Sequence, residues 1–322
     1  MINKADQYFI KTLKQIRVFG DWDENPRPKW EDGTPAHSKF ISQQSFKYHI
    51  IDGEFPIQSF RPTAVKGGFY DIEAIYQKQT NIFEEMHPSI QSWWMPFVVE
   101  TIYSDSGCNY NQLAYLAFKE TGEKKGDPIL VKNSIGQTYG HTVKRYNLMN
   151  NLLDTMENDP FGRRHIINLW QEQQRIEDPK ALVPCAYETV YTISETKFGL
   201  GKYERVRYVD QTLNQRSQDY IVTASINSIQ YVQLGLMICG HLEHKTGIKH
   251  ILRTFIHNVQ NVHIYDRHLF AIDELLKRKP SNEVFQMQLP SKKDFYDYTF
   301  EDFLISNPYS KVPLSQKLEI AV

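Results

Sequence analysis

Between residues 3 and 18 apolar and polar side chains alternate at helical spacing, and the pattern predicts an amphipathic first helix. The stretch GDWDENPRPKWEDGTPAHS that follows is crowded with Gly, Pro and charge and reads as a loop. From Lys39 to Ile51 the composition turns strand-like; past a turn at Gly53, PIQSFRPTAVKGG leads into the helical pattern FYDIEAIYQKQ, which puts Asp71 near a helix start. No period holds for long between Val98 and Ser134, although LAYLAF is a short helix candidate, and this stretch reads as an insertion. YNLMNNLLDTMEN predicts an amphipathic helix closed by Asp159-Pro160-Phe161-Gly162, and RRHIINLW a strand headed by Arg163 and Arg164.

In the second half ALVPCAYETVYTIS and YERVRYVDQTLNQRS are two strand-like runs, followed by a long helix from roughly Ser225 to Thr246. KHILRTFIHNVQNVHIY returns to strand character, and HLFAIDELLKR predicts a further helix. Strands and helices intermingle with no regular βαβ repeat and no longer internal period. One α+β domain over residues 1–322 is therefore expected, with an insertion at about 98–134.

Composition narrows the partners. A hydrophobic content of 41% suffices for a substantial core, and 37 Lys and Arg against 38 Asp and Glu give no general field for nucleic acid or an anionic membrane. Neither partner class is expected, and a bound phosphate must be held locally. The N-terminus has no apolar h-region or small-residue cleavage site, and no apolar run reads as long enough to span a bilayer, so a cytoplasmic setting is expected. Cys108, Cys185 and Cys239 lie far apart with no CxxC pair, which argues against a disulfide framework and a zinc site; no metal is expected. The absence of a Gly-rich phosphate loop speaks against a nucleoside triphosphate enzyme.

Cys185, in VPCAYE, is by itself a small apolar side chain, but a thiol becomes a nucleophile where cations favour its thiolate, and Arg216 in NQRSQD stands on the neighbouring strand-like run. Arginine forks match phosphate oxygens, so Arg163, Arg164, Arg216 and the Ser217 hydroxyl form a candidate dianion site.

PFGRRHII, VPCAYE, NQRSQD with Asn227, VHIY and the terminal EIAV occur in the order and approximate spacing of thymidylate synthases, and DGTPAH at residues 32–37 resembles a bacterial branch of that family. The resemblance is dense from about Gly136 onward and implies the family's mixed sheet packed with helices, the sheet lying at a homodimer interface. It implies Cys185 as the nucleophile adding to C6 of dUMP, and Asn227 as the amide pairing with the uracil edge. Arg216 and Ser217 would hold the phosphate with Arg163 and Arg164 reaching over from the second subunit, and Arg27 would be a mobile-loop phosphate ligand. His263 and Tyr265 would bind the deoxyribose 3′-hydroxyl, and Tyr139 would join the proton-transfer network. On the side of 5,10-methylenetetrahydrofolate, the co-substrate, the resemblance implies Trp94, Asp219, Thr223 and Ala321.

The departures from the family gather on the folate and proton-transfer side. Asp71 falls where the family has a general-acid/base glutamate, with Glu73 a weaker substitute; YIVTASIN lacks the usual glycine and proline and puts Thr223 and Ser225 in a tight cofactor-facing turn; and Met95 and Phe97 replace an acid and a second tryptophan. Reductive methylation of dUMP to dTMP is the leading expectation. Hydroxymethylation of dUMP, with water trapping the exocyclic methylene, is the alternative, and a nucleotide-binding homologue without catalysis the third.

Overall fold

The first helix forms at Lys4–Phe19, where the apolar spacing puts it: Asn3 caps it by accepting from Asp6 N, and Phe9, Leu13 and Ile16 are buried. The computed structural model describes residues 3–104, 129–177, 181–196, 205–281, 284–306 and 312–321. The chain packs as two units, Met1–Phe69 with Leu153–Ile166 and Cys185–Val322, and Tyr70–Leu152 with Ile167–Pro184.

In the first unit the strands line up in the order Asp21–Trp22, Ser38–His49, Lys249–Tyr265, Val206–Asp219, Ala186–Thr196. Neighbours are antiparallel except Val206–Asp219 and Lys249–Tyr265, which run parallel with Ser217 opposite Asn261 and Asp219 opposite His263. A parallel pair needs a crossover, and the helix Tyr220–Thr246 supplies it, following the first strand directly and joined to the second by Gly247 and Ile248. Asp219 ends the strand and caps the helix by accepting from Val222 N at 3.2 Å. Side chains alternate along Val206–Asp219, and Val209, Gln211, Leu213 and Gln215 are buried. Gly235 lets helix and sheet approach closely: a Cβ there would stand 2.3 Å from Gln211 Oε1, and Gln211 is pinned by bonds from its Nε2 to Tyr231 O and Tyr191 OH.

The second unit holds the short helix Pro88–Trp94, the helices Gly140–Arg145 and Glu172–Glu177, and an antiparallel ladder of Val99–Ser104 with Ile129–Ser134. The helix that enters this unit, Val65–Ile72, widens into a π turn at Glu73–Gln77, where Lys78 N donates to Glu73 O at 2.8 Å. Tyr139 has φ of 48°, and Gly140 follows it so close to Thr80 that a Cβ would lie 2.1 Å from the Thr80 carbonyl oxygen.

The α+β class, the first helix and the long strands form as expected; several boundaries do not. Asp71 sits near the end of its helix, because the helix begins at Val65; the poor helix formers Gly67 and Gly68 hide that start, yet a Cβ at Gly68 would meet Gln230 Cβ at 3.3 Å. Arg163 and Arg164 precede the strand, which is only Ile166–Asn168, and Cys185 stands one residue before Ala186–Thr196. The long helix starts five residues early, so Thr223 and Ser225 are helical and form no turn; the Asp219 cap outweighs the β-branched run behind it. That helix is, by length and composition, apolar enough to cross a bilayer, contrary to the expectation, but most of it is buried inside the protein and it reads as a core helix. Cys108, LAYLAF and most of the expected insertion lie outside the described residues.

Gly140→Ala is expected to destabilise the protein by roughly 2–3 kcal/mol, since backbone must yield where the new methyl meets Thr80 O. Thermal denaturation checks this, and an unshifted melting curve would contradict the contact.

Candidate active site

Cys185 is half-buried at the head of its strand, and the neighbouring strand holds it from both sides of the residue. Arg216 N donates to Cys185 O at 2.9 Å, and Arg216 Nη2 donates to the thiol sulfur at 3.5 Å. Burial pushes the thiol's pKa up, and the guanidinium groups of Arg216 and Arg27 pull against it. The first unit thus brings three of the expected residues, Cys185, Arg216 and Arg27, into one electrostatic group. Arg27 itself is exposed, as are Arg163 and Arg164 on the bend after Gly162, and among the described residues the latter two make no ion pair.

Asn227, half-buried on the second turn of the long helix, accepts at Oδ1 from Gln215 Nε2 (3.4 Å) and Gln218 Nε2 (3.5 Å). Its Nδ2 remains to donate. His263 and Tyr265 share one face of the returning strand, their ring centroids 5.0 Å apart. Asn261 Oδ1 lies 2.9 Å from His263 Nδ1, and burial pushes His263 down to about 4; the proton of the neutral ring therefore sits on Nδ1 and Nε2 is an acceptor fit for a hydroxyl. Ser217 shares this neighbourhood through its carbonyl, which accepts from Gln215 Nε2 at 2.8 Å.

Asp219 carries a carboxyl raised to about 7, chiefly by burial, against the backbone N–H bonds at the helix start and the field of Arg61. A carboxyl of that pKa both accepts and donates, which suits an amide-like ring edge. Thr223 is turned away from that use: its hydroxyl donates to Asp219 O at 2.9 Å. Ala321 is half-buried, and the tail before it is tied by Arg267, which pairs with Glu319 at 2.9 Å and with Asp32 at 2.6 Å.

The second unit contributes a separate cluster. Trp94 Nε1 donates to the buried carboxylate of Asp71 at 2.9 Å, and the Trp94 ring meets Tyr139 edge-on at 5.4 Å. Glu73, the weaker substitute, is paired with Lys78 at 2.8 Å. Asp71 is thereby the oriented carboxylate of this unit.

No sequence motif marks Arg61, which donates to Ile221 O and acts on Asp219, or the buried set Ser228, His257 and Gln215. Histidine amid apolar residues of a strand was the one available signal.

The thymidylate synthase family model matches residues 7–322. The thymidylate synthase of Streptococcus thermophilus is 33% identical over 324 residues, with all of both chains covered, and that of Streptococcus mutans is 32% identical over the same span. The chain belongs to the thymidylate synthase family. The fold agrees: thermostable thymidylate synthase A from Bacillus subtilis superposes with a TM-score of 0.72 at 24% identity, covering 98% of this chain and 99% of that one.

Two outcomes are expected from this geometry. Arg216→Met removes a cation from the sulfur and should slow alkylation of Cys185 by iodoacetamide at about pH 8 roughly tenfold; an unchanged rate would show that Arg216 does not act on the thiol. Burial pushes His250, His257, His263 and His268 from the ordinary 6.5 down to about 4, 3, 4 and 4. Below pH 6.5 the unfolded chain binds protons that the folded one refuses. Stability is therefore full above 6.5 and falls toward pH 4, by about 1.4 kcal/mol per pH unit per histidine, with the raised Asp219 opposing. A thermal midpoint that is flat between about pH 7 and pH 5 would contradict it.

Proposed function

We propose that this protein transfers the methylene group of 5,10-methylenetetrahydrofolate to C5 of dUMP, giving dTMP and dihydrofolate, with Cys185 as covalent nucleophile. The observation that carries the reading is the Arg216 guanidinium on the Cys185 sulfur within a chain of this family. The thiolate adds to C6, which makes C5 a carbon nucleophile, and leaves again when the product forms. Arg216 stabilises the thiolate and, with Ser217, Arg27, Arg163 and Arg164, holds the phosphate; the last two act across a homodimer. Asn227 meets the uracil edge, and the acceptor Nε2 of His263, with Tyr265, takes the 3′-hydroxyl.

When bound, the folate supplies the one-carbon unit and the hydride. Asp219, Thr223 and Ala321 of the first unit are assigned to its binding, as is Trp94 of the second, and the Thr223 hydroxyl is committed to Asp219 O. Asp71, oriented by the Trp94 N–H, removes the proton at C5 with Tyr139 beside it. The setting is cytoplasmic.

The test is to incubate the protein with dUMP and methylenetetrahydrofolate, follow dihydrofolate by absorbance and identify the nucleotide by mass. dTMP with equimolar dihydrofolate is expected; hydroxymethyl-dUMP without dihydrofolate would replace this reading by hydroxymethylation, and unchanged dUMP would refute catalysis. Cys185→Ser should abolish turnover. Asp71→Asn should lower kcat by about 10²–10⁴ while dUMP binding holds, and a fully active variant would remove Asp71 from proton transfer.

A further inference from the structure

His257 lies on Lys249–Tyr265, fully buried, with its ring against Phe46 and Phe255 at centroid distances of 6.3 and 6.2 Å. Both ring nitrogens are engaged. Nε2 stands 2.8 Å from Gln215 Oε1, and Nδ1 stands 2.9 Å from Ser228 Oγ. An amide oxygen only accepts, so Nε2 carries the proton; in the neutral ring Nδ1 is then an acceptor, and it shares the one Ser228 hydroxyl proton with Ala224 O, which lies 3.0 Å from the same oxygen. Burial, which pushes this imidazole down to about 3, keeps it in that neutral form.

The consequence runs outward through Gln215. With its Oε1 held by His257, its Nε2 faces the other way, donating to Ser217 O at 2.8 Å and to Asn227 Oδ1 at 3.4 Å. Gln218 Nε2 converges on the same Asn227 oxygen at 3.5 Å. Two N–H donors aimed at one atom settle which end of the Asn227 amide is oxygen, because a flipped amide would set N–H against N–H. Nδ2 is therefore presented as a donor. Uracil offers an acceptor at O4, whereas cytosine offers an N4 amino donor at that place, so the orientation of one amide separates the two bases.

We propose that Ser228 and His257 are positioning residues that, through Gln215, lock the Asn227 amide in the orientation that accepts uracil and rejects cytosine. The proposal rests on the reading of Asn227 as the base-edge residue of a dUMP site.

The experiment measures binding of dUMP and of dCMP by calorimetry, and kcat and KM for dUMP, in the full-length protein and its variants. In His257→Phe the preference for dUMP over dCMP should fall about tenfold, the worth of one ordinary hydrogen bond, with KM rising by a similar factor and kcat within about twofold. His257→Gln, whose amide N–H can replace the Nε2 donor, should retain most of the preference. Ser228→Ala, a small change inside a helix, should lower it about threefold by freeing the other ring tautomer. Adding His257→Phe to Gln215→Leu should cost nothing further, since the effect passes through Gln215. An unchanged preference in Ser228→Ala and in a His257→Phe protein of normal melting temperature would overturn the proposal while leaving the dUMP reading intact. A parent protein that does not prefer dUMP would overturn both.

Discussion

One parallel pairing organises the candidate site. Val206–Asp219 and Lys249–Tyr265 run in the same direction, each flanked on its other side by an antiparallel neighbour, so the chain between them must cross back over the sheet, and it does so as a single helix. The carboxyl ends of the two parallel strands then stand side by side. One carries Arg216, Ser217 and Asp219, the other His263 and Tyr265, and the first turns of the helix carry Thr223 and Asn227. Ligand sites of open sheets that contain parallel strands favour such ends, where backbone groups and helix starts meet. Cys185 joins from the antiparallel neighbour, tied in by the Arg216 backbone N–H.

Holding that crossover closed takes polar groups as well as apolar ones. Gln211 and Gln215 lie in the buried row between sheet and helix; Gln211 Nε2 donates to Tyr191 and Tyr231, and Gln215 is bonded at both ends, to His257, Ser217 and Asn227. A buried amide left unmade costs more than a made one contributes, so these bonds select one arrangement of the helix over the sheet. The same economy keeps His257 and His263 neutral with defined tautomers. The packing of the crossover and the orientation of the Asn227 amide therefore draw on one set of side chains.

The second unit meets its constraint by close approach of backbone. Tyr139 takes a positive φ that few side chains adopt, and Gly140 fits where any Cβ would strike Thr80. The Trp94 N–H orients Asp71 near the end of Val65–Ile72. This carboxylate is held by a specific donor, which makes its position a property of the packing around it.

Much was legible in the chain itself. Period-3.6 and period-2 patterns located the first helix and the long strands, because burial of one face is a local demand on spacing. The motifs around Cys185, Arg216 and Asn227 carried the family, since local propensity does not call for those side chains at those places. Tertiary structure decided the rest. The start of the helix at Val65 is masked by two glycines, of which Gly68 lies against Gln230, and the start at Tyr220 depends on an aspartate that is at once strand end and cap. That His257 is a hydrogen-bonded link and not merely a core residue follows only from the register that sets Leu213 beside it and from the helix that lowers Ser228 onto its ring. Spacing along a chain records which face a residue takes; which atom it meets there depends on segments distant in sequence.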